Sequence, residues 1–135
     1  MKGVYILLIK VEPDQTIQIG RLRKIFFKKG FYAYVGSAMN SLEGRINRHL
    51  RSDKKVHWHI DYLLKRSDII KVFYRGTERK IECDVARIFS KKLENINGFG
   101  CSDCNCNSHL FYGNEKEIEN IGKNLNFNIK NIQNP

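Results

Sequence analysis

The chain of 135 residues is predicted to form a single domain, residues 1–135, long enough to bury about two-thirds of the surface of its unfolded form. It contains no run of about 18 apolar residues, so we expect no membrane span. Its N-terminus does not have the basic segment followed by an apolar one that is typical of a signal peptide, so we expect no secretion and predict a cytoplasmic protein. Lysine and arginine number 24 against 14 aspartates and glutamates, and the net charge of +10 favours a polyanionic partner, because neutralised phosphates release counterions.

The first half of the chain has the patterns of four strands and one amphipathic helix. The strands are predicted at residues 4–11, 16–19, 23–27 and 31–36. Successive aliphatic residues in the first strand indicate burial on both faces, and the spacing of the next two indicates a hairpin. Asn40 or Ser41 is predicted to cap the helix. Its apolar stripe recurs at helical spacing and consists of Met39, Leu42, Ile46 and Leu50.

The second half alternates predicted helices and strands around a loop rich in glycine and cysteine. These elements are a short helix at 58–64, a strand at 69–74, a helix at 80–95, the loop at 97–108, a strand at 109–112, a helix at 115–123 and a strand at 125–129. An asparagine-rich tail follows, which we expect to be frayed. The sequence therefore predicts a mixed α/β (α+β) domain with a core at about 3–112 and a C-terminal helix and strand at 113–130. Its small central sheet is expected to be mostly antiparallel and flanked by helices.

Residue types that suit phosphodiester chemistry gather near one predicted strand-to-helix junction. Arg45 and His49 are four residues apart and share one side of the helix that follows residues 34–37. Arginine suits bidentate contact with phosphate, and tyrosine and histidine can move a proton. Glu82 lies on the apolar rim of a later predicted helix, where a Mg²⁺ or Mn²⁺ ion would compensate for its loss of hydration.

These segments resemble the motifs of the GIY-YIG nuclease superfamily. The resemblance rests on Gly3-Val4-Tyr5, on Tyr34-Val35-Gly36, on the arginine helix and on the later helical glutamate. Residues 36–64, the Glu82-Cys83 pair and the loop at 98–104 resemble more closely an uncharacterised archaeal-type branch, which also occurs fused to endonuclease III-like domains. The resemblance covers residues 3 to about 112 and implies a GIY-YIG-like fold.

The resemblance also implies a catalytic role for five residues and a metal-ion cofactor. Those residues are Tyr5, Tyr34, Arg45, His49 and Glu82, with Glu82 as the ligand of Mg²⁺ or Mn²⁺. Two features depart from the family pattern: 28 residues separate Tyr5 from Tyr34, where the family has a short hairpin, and Ser37 stands where excision-repair members carry a lysine. Tyr32 would share the strand face of Tyr34, so this strand has a second candidate tyrosine.

We therefore expect a metal-dependent DNA endonuclease, a hydrolase of phosphodiester bonds in DNA repair or recombination. Its candidate partners besides DNA are a repair protein and a second copy of the chain. The alternative is a non-catalytic module of the same fold that binds DNA or structured RNA. Contacts to nucleic acid are predicted for basic, hydroxyl and imidazole side chains outside the catalytic set, namely Lys28, Lys29, Ser37, Arg48, Arg51, His57 and His59.

Two short segments are open to more than one interpretation. Residues 57–62 are a phosphate-contacting loop, a source of additional site residues such as His59 or Asp61, or a helix start with packed aromatic side chains. The loop near the C-terminus has ligand types and spacing that suit Zn²⁺, in Cys101, Cys104, Cys106 and His109. A disulfide and packed free thiols are the two other interpretations of that loop.

Overall fold

Strand β1 (Gly3–Val11) is the centre of the fold, and only Lys10 among its nine residues is exposed. The computed structural model describes residues 1–101 and 104–132. In those residues β1 is followed by β2 (Gln15–Ile19), β3 (Arg23–Phe27), β4 (Gly30–Ala38), α1 (Leu42–Leu50), α2 (His59–Leu64), β5 (Asp68–Gly76), α3 (Glu82–Lys92), β6 (Glu94–Asn95), β7 (Leu110–Gly113), α4 (Glu115–Asn124) and β8 (Asn128–Asn131). Six strands form one sheet in the order β6-β7-β4-β1-β5-β8, with every neighbouring pair antiparallel. Together with the separate β2–β3 hairpin, this confirms the predicted α+β architecture.

Each face of the sheet carries its own hydrophobic core, because successive residues of β1 point to opposite sides. The odd-numbered residues from Tyr5 to Val11 pack with α1, α2 and the β2–β3 hairpin. The even-numbered residues from Val4 to Leu8 pack with α3 and α4. The uninterrupted aliphatic sequence of β1 reflects this burial on both faces, and the alternation places Tyr5 on the side covered by α1.

Helix α1 begins after Ser41, whose Oγ accepts a hydrogen bond from the backbone N–H of Gly44 at 3.0 Å. Leu42 and Ile46 are buried, as their helical spacing predicts. His49 is buried as well and extends this apolar stripe, so the helix presents an imidazole to the core beside its aliphatic residues. The same helix therefore carries both Arg45 and His49 to the Tyr5 side of the sheet.

Helix α3 is shorter than its sequence pattern predicts, since it starts at Glu82 rather than at residue 80 and ends at Lys92 rather than at residue 95. The chain becomes extended at Leu93, with φ −127° and ψ 165°. The Asn95 side chain donates to the carbonyls of Ser90 and Leu93, both at 3.1 Å, and so satisfies groups that a longer helix would have used. Residues 94 and 95 then form β6, which pairs with β7.

The C-terminal strand begins later than predicted, at Asn128 rather than at residue 125. Leu125 ends α4 as its C-terminal cap, and Asn126 has a positive φ of 62°, which interrupts an extended chain. Asn131 pairs with Lys71 in the sheet, so the predicted frayed tail is wrong for this residue, and residues 133–135 of that tail lie outside the described part. Among the described residues, no helix has the length and apolar character needed to cross a membrane.

Candidate active site

The predicted site residues gather where β7 leaves the edge of β4 uncovered. In the described part of the chain, β7 pairs with β4 only as far as Tyr34, so no strand covers the last residues of β4 on that side. A cleft of about 580 Å³ opens there. Seven of the predicted catalytic and nucleic-acid-binding residues line it, namely Tyr5, Tyr34, Ser37, Arg45, His57, His59 and Glu82.

A hydrogen bond between Tyr5 and His49 lies at the base of the cleft. The distance from Tyr5 Oη to His49 Nε2 is 2.6 Å, and both residues are almost fully buried. The Tyr5 ring lies against Gly36, its partner across the two strands. A Cβ at position 36 would lie 2.5 Å from both Cζ and Oη of Tyr5, which is too close for any side chain. The glycine of the Tyr34-Val35-Gly36 motif is therefore required by the position of the tyrosine of the other motif.

Of the two tyrosines on this face of β4, Tyr34 borders the cleft and Tyr32 does not. The Tyr34 ring lies 6.5 Å from that of Tyr5 and 6.3 Å from that of His49, between ring centroids, and it borders the cleft. The Tyr32 hydroxyl donates to the carbonyl of Lys28 at 2.8 Å, and its ring packs against Phe27 in the core. Although both tyrosines share one face of β4, only Tyr34 lies where a substrate in the cleft would meet it.

Burial sets the protonation states of the three clustered rings. It raises the pKa of Tyr5, which Arg45 only partly offsets, and it raises the pKa of Tyr34 well above its ordinary value of 10.0. It lowers the pKa of His49 to about 3. At neutral pH both phenols therefore keep their protons and the imidazole is uncharged. His49 Nδ1 is buried and has no hydrogen-bond partner among the described residues.

The indole of Trp58 lies against two guanidinium groups of α1. The distances from the ring centroid to the guanidinium carbons are 4.5 Å for Arg45 and 4.3 Å for Arg48. Arg45 Nη1 also donates to the carbonyl of Ser37 at 3.1 Å. These contacts hold the guanidinium of Arg45 at the cleft. This group is always charged, and its planar set of N–H donors matches the oxygens of a phosphate.

Arg48, which is predicted to contact nucleic acid, makes hydrogen bonds within the protein. Its two Nη atoms each donate to the carboxylate of Asp61 at 3.0 Å, and one also donates to the carbonyl of Lys55 at 3.0 Å. The fully buried Asp61 also accepts from the backbone N–H groups of His57 and Trp58 at 2.9 Å. Burial opposes the ionisation of Asp61, but these hydrogen bonds outweigh it and lower its pKa. Asp61 therefore joins α1 to the start of α2 and does not line the cleft.

Residues 57–62 form a helix start with packed aromatic side chains, and two of their imidazoles also border the cleft. His59 Nδ1 accepts a hydrogen bond from the backbone N–H of Gly100 at 2.9 Å, and its ring packs against Phe99. Burial lowers the pKa of His59. Gly100 has a positive φ of 73°, a conformation that favours glycine. His57 also lines the cleft. Contact of either imidazole with phosphate stays a prediction.

Glu82 is the first residue of α3 and the only acid among the described residues that line the cleft. Its side chain is 19% exposed, and its Oε1 lies 3.5 Å from the Nζ of Lys80, whose side chain is largely exposed. Asp84, two residues further on, is directed to solvent and pairs with Arg87. A mostly buried carboxylate with a surface lysine as its ion-pair partner fits a Mg²⁺ or Mn²⁺ ion that takes its remaining oxygen ligands from water and substrate.

Besides Arg48, three of the predicted nucleic-acid contacts lie outside the cleft. Lys28 Nζ is 3.3 Å from a carboxylate oxygen of Glu94 and 4.4 Å from the ring centroid of Tyr112. Lys29 is exposed and lies seven positions before Gly36, a distance of about 23 Å along an extended chain. Arg51 is exposed immediately after α1. The structure therefore brings together the predicted catalytic residues but leaves these basic residues at the periphery.

A second cluster, of three thiols and an imidazole, borders the cleft beside Glu82. Cys83, Cys104, Cys106 and His109 each offer one ligand atom, and these atoms lie within 4.8 Å of one another. The predicted ligand set had Cys101 in place of Cys83. Cys101 Sγ instead donates to the carbonyl of Phe99 at 3.4 Å, and packing of α3 beside the loop brings Cys83 into the group. All four cysteines are free, and the resulting Cys₃His group could bind a metal ion.

Sequence reasoning missed Trp58 and Lys80 as parts of the site, and it gave Cys83 only as a candidate neighbour of the cysteine loop. An aromatic residue near an arginine helix carries no signal of stacking until the helix and the loop are placed side by side. Cys83 directly follows Glu82 in the sequence, and this adjacency was the one available sign that the cysteine cluster and the carboxylate share a location.

Comparisons with known proteins bear on the family of this chain. A search of curated proteins found no match, and a search of solved structures found none either. A family model described as "Domain of unknown function DUF123" matches residues 4–130, a range that includes every residue lining the cleft. The match spans nearly the whole chain, which therefore belongs to the family Domain of unknown function DUF123.

Proposed function

We propose that the chain is a metal-dependent DNA endonuclease of the GIY-YIG type, which hydrolyses phosphodiester bonds in DNA repair or recombination. The observation that carries the proposal is the convergence of five side chains from four separate elements. Tyr5, Tyr34, Arg45 and Glu82 line one cleft, and His49 lies behind it, bonded to Tyr5. These are the residue types that phosphodiester hydrolysis requires, and the net charge of +10 favours a nucleic-acid substrate.

Tyr5 and His49 are suited to take the proton from the attacking water. As the water oxygen forms its bond to phosphorus, its proton passes to Tyr5 Oη, and the phenolic proton of Tyr5 passes to His49 Nε2 across the 2.6 Å hydrogen bond. The neutral state of His49 leaves a nitrogen lone pair available for this transfer. The negative charge of the bound phosphate offsets the cost of the imidazolium that forms.

Arg45 is suited to bind the non-bridging phosphate oxygens, because Trp58 and the Ser37 carbonyl orient its guanidinium at the cleft. The bond from phosphorus to the leaving 3′ oxygen breaks, and that oxygen takes a proton from solvent. A Mg²⁺ or Mn²⁺ ion held by Glu82 would supply Lewis-acid stabilisation of the charge on the phosphate and the leaving oxygen. Tyr34, with its proton retained, is suited to orient the attacking water by a hydrogen bond.

The test is cleavage of supercoiled, nicked and branched DNA in Mg²⁺ or Mn²⁺ by the parent protein and by Glu82→Gln. We expect Glu82→Gln to lower the rate of cleavage by a factor of about 100 or more. The DNA affinity and the unfolding midpoint should stay near those of the parent. Asp84→Asn is the matched control, because it removes one charge from the same helical turn at a side chain that is 59% exposed.

Equal cleavage by Glu82→Gln and the parent protein would show that the proposed site is wrong. Salt-sensitive binding with no cleavage of any of the substrates would instead favour a non-catalytic module that binds DNA or structured RNA.

A further inference from the structure

The ligand atoms of Cys83, Cys104, Cys106 and His109 have nearly the spacing of a tetrahedral metal site. The four atoms lie within 4.8 Å of one another, and Cys104 Sγ lies 3.2 Å from His109 Nε2. Zn–S bonds of about 2.3 Å and Zn–N bonds of about 2.0–2.1 Å place tetrahedral ligand atoms about 3.5–3.8 Å apart. Side-chain movements of about 1 Å therefore suffice to close the group around one ion.

The orientation of His109 is a second, independent indication of a metal ligand. Its Nδ1 lies 3.1 Å from the carbonyl oxygen of Val35, which only accepts hydrogen bonds, so Nδ1 carries the hydrogen and the lone pair is on Nε2. Nε2 is directed toward the cysteine cluster. The backbone of His109 is bonded to Phe99 and Val35, both at 2.9 Å, and the side chain is buried. When one ring nitrogen of a histidine binds a metal, the other usually donates a hydrogen bond to a carboxylate, a backbone carbonyl or water. The hydrogen bond from Nδ1 to Val35 is of this kind.

We propose that these four residues form a structural Zn²⁺ site beside the cleft. Three thiolates and an imidazole are ligands that Zn²⁺ favours, whereas Mg²⁺ and Mn²⁺ favour oxygen. With four protein ligands the coordination is complete, which distinguishes a structural zinc site from a catalytic one that keeps a position for water. Binding of the ion displaces the three thiol protons to solvent.

The zinc ion would fix the start of α3 against the edge of β4. Ile81, the residue that precedes α3, makes no side-chain capping hydrogen bond, so the first turn lacks the usual local stabilisation. Cys83 lies in that turn directly after Glu82, and His109 is bonded to Val35 of β4. The ion thus connects the helix that carries the Glu82 carboxylate to the strand that carries Tyr34. The binding of zinc does not depend on the nuclease proposal.

The test is metal binding by the full chain, which is first reduced and freed of metal. Separate samples are then titrated with Zn²⁺ and with Co²⁺. We expect one Zn²⁺ per chain and a Co²⁺ spectrum with thiolate charge-transfer bands and intense tetrahedral d–d bands. Cys83→Ser should weaken Zn²⁺ binding by about tenfold or more and reduce the charge-transfer intensity. Cys101→Ser is the matched control, since it removes a free thiol of the same loop that lies outside the group, and it should bind as the parent does.

Three results would overturn the proposal. They are the absence of stoichiometric binding, an equal loss of binding in Cys101→Ser and Cys83→Ser, and an intact mass two hydrogens lower that reveals a disulfide in the protein before reduction. The Co²⁺ spectrum of the parent protein decides the case even where a variant does not fold, because a spectrum without thiolate bands excludes the site. Metal content and spectrum need no nuclease assay, so failure of the zinc proposal and failure of the nuclease proposal are distinguishable.

Discussion

The proposed chemistry at the scale of single residues depends on a histidine that burial keeps uncharged. The imidazole of His49 makes one hydrogen bond, between its Nε2 and the Tyr5 hydroxyl, and its Nδ1 has no partner among the described residues. A buried polar atom without a partner costs free energy, which a purely structural residue at this position would avoid. His49 carries this cost and lies next to a tyrosine at the base of a cleft. Both features are consistent with a role in proton transfer.

The lowered pKa of His49 predicts that the folded protein loses stability as the pH falls. The unfolded imidazole takes up a proton below about 6.5, whereas the folded one stays neutral down to about 3, so the free energy of unfolding decreases with falling pH across that window. We expect a slope on the order of 1 kcal/mol per pH unit between pH 6 and pH 4.5, from urea unfolding. His49→Gln should flatten that slope.

The chosen pH range separates His49 from Asp61, and the comparison of His49→Gln with the parent separates it from His59, whose pKa burial also lowers. The pKa of Asp61 is lowered from 3.8, so the stability that this carboxylate contributes is lost only at more acidic pH. A slope in His49→Gln equal to that of the parent between pH 6 and pH 4.5 would show that His49 is not the titrating group.

At the scale of secondary-structure elements, one buried ion pair joins the helix of the arginines to the segment of the imidazoles. Arg48 and Asp61 are linked by two hydrogen bonds, and Asp61 accepts two more from the backbone at the start of α2. Trp58, whose backbone is one of these donors, packs against both Arg48 and Arg45. The position of Arg45 in the cleft thus depends on a pair that does not itself line the cleft.

Loss of this pair should destabilise the whole domain. We expect Asp61→Ala to lower the free energy of unfolding by about 3 kcal/mol or more, because it leaves the Arg48 charge partly buried without its partner. Asp84→Ala is the matched control, since its ion pair with Arg87 is exposed and should contribute less than about 1 kcal/mol. Urea unfolding of both variants measures the difference. Similar losses in the two variants would contradict a structural role for Asp61.

The elements themselves were largely predictable from the sequence, because their signals are local. The aliphatic run of β1, the Ser41 cap and the buried Leu42 and Ile46 of α1 each appear in the structure at the predicted places, whereas Met39 lies before the helix and lines the cleft. The end of α3 was not predictable, because the side chain of Asn95 competes for carbonyls at the helix end.

Much of the candidate site was predictable as a set of residues but not as a set of contacts. The resemblance named Tyr5 and His49, yet their hydrogen bond depends on the sheet register and on the packing of α1. The ion pair of Arg48 and the approach of Cys83 to His109 join residues distant in sequence, and neither has a local signal.

At the scale of the whole molecule, the hairpin formed by β2 and β3 lies on the same face of the sheet as the helix that carries Arg45. Lys28 and Lys29, at the end of this hairpin, are exposed. They lie about 23 Å along β4 from the cleft, which is less than one turn of a DNA duplex, about 34 Å. A duplex whose backbone enters the cleft and runs over the surface in the direction of β4 would span the distance to both lysines. Helix α4 packs on the opposite face, and its basic side chains face away from such a duplex.

This geometry predicts which charges control the salt dependence of DNA binding. Replacing Lys28 and Lys29 together by alanine should flatten the slope of log affinity against log salt by about one to two units, because two phosphate contacts are lost. Replacing Lys116 and Lys123, two exposed lysines of α4, removes the same charge from the other face and should leave the slope unchanged. The slope is measured by fluorescence anisotropy with a labelled duplex over a range of salt concentrations. Equal slopes for the two double variants would show that the duplex does not follow β4 to the hairpin, since net charge alone would then account for the change.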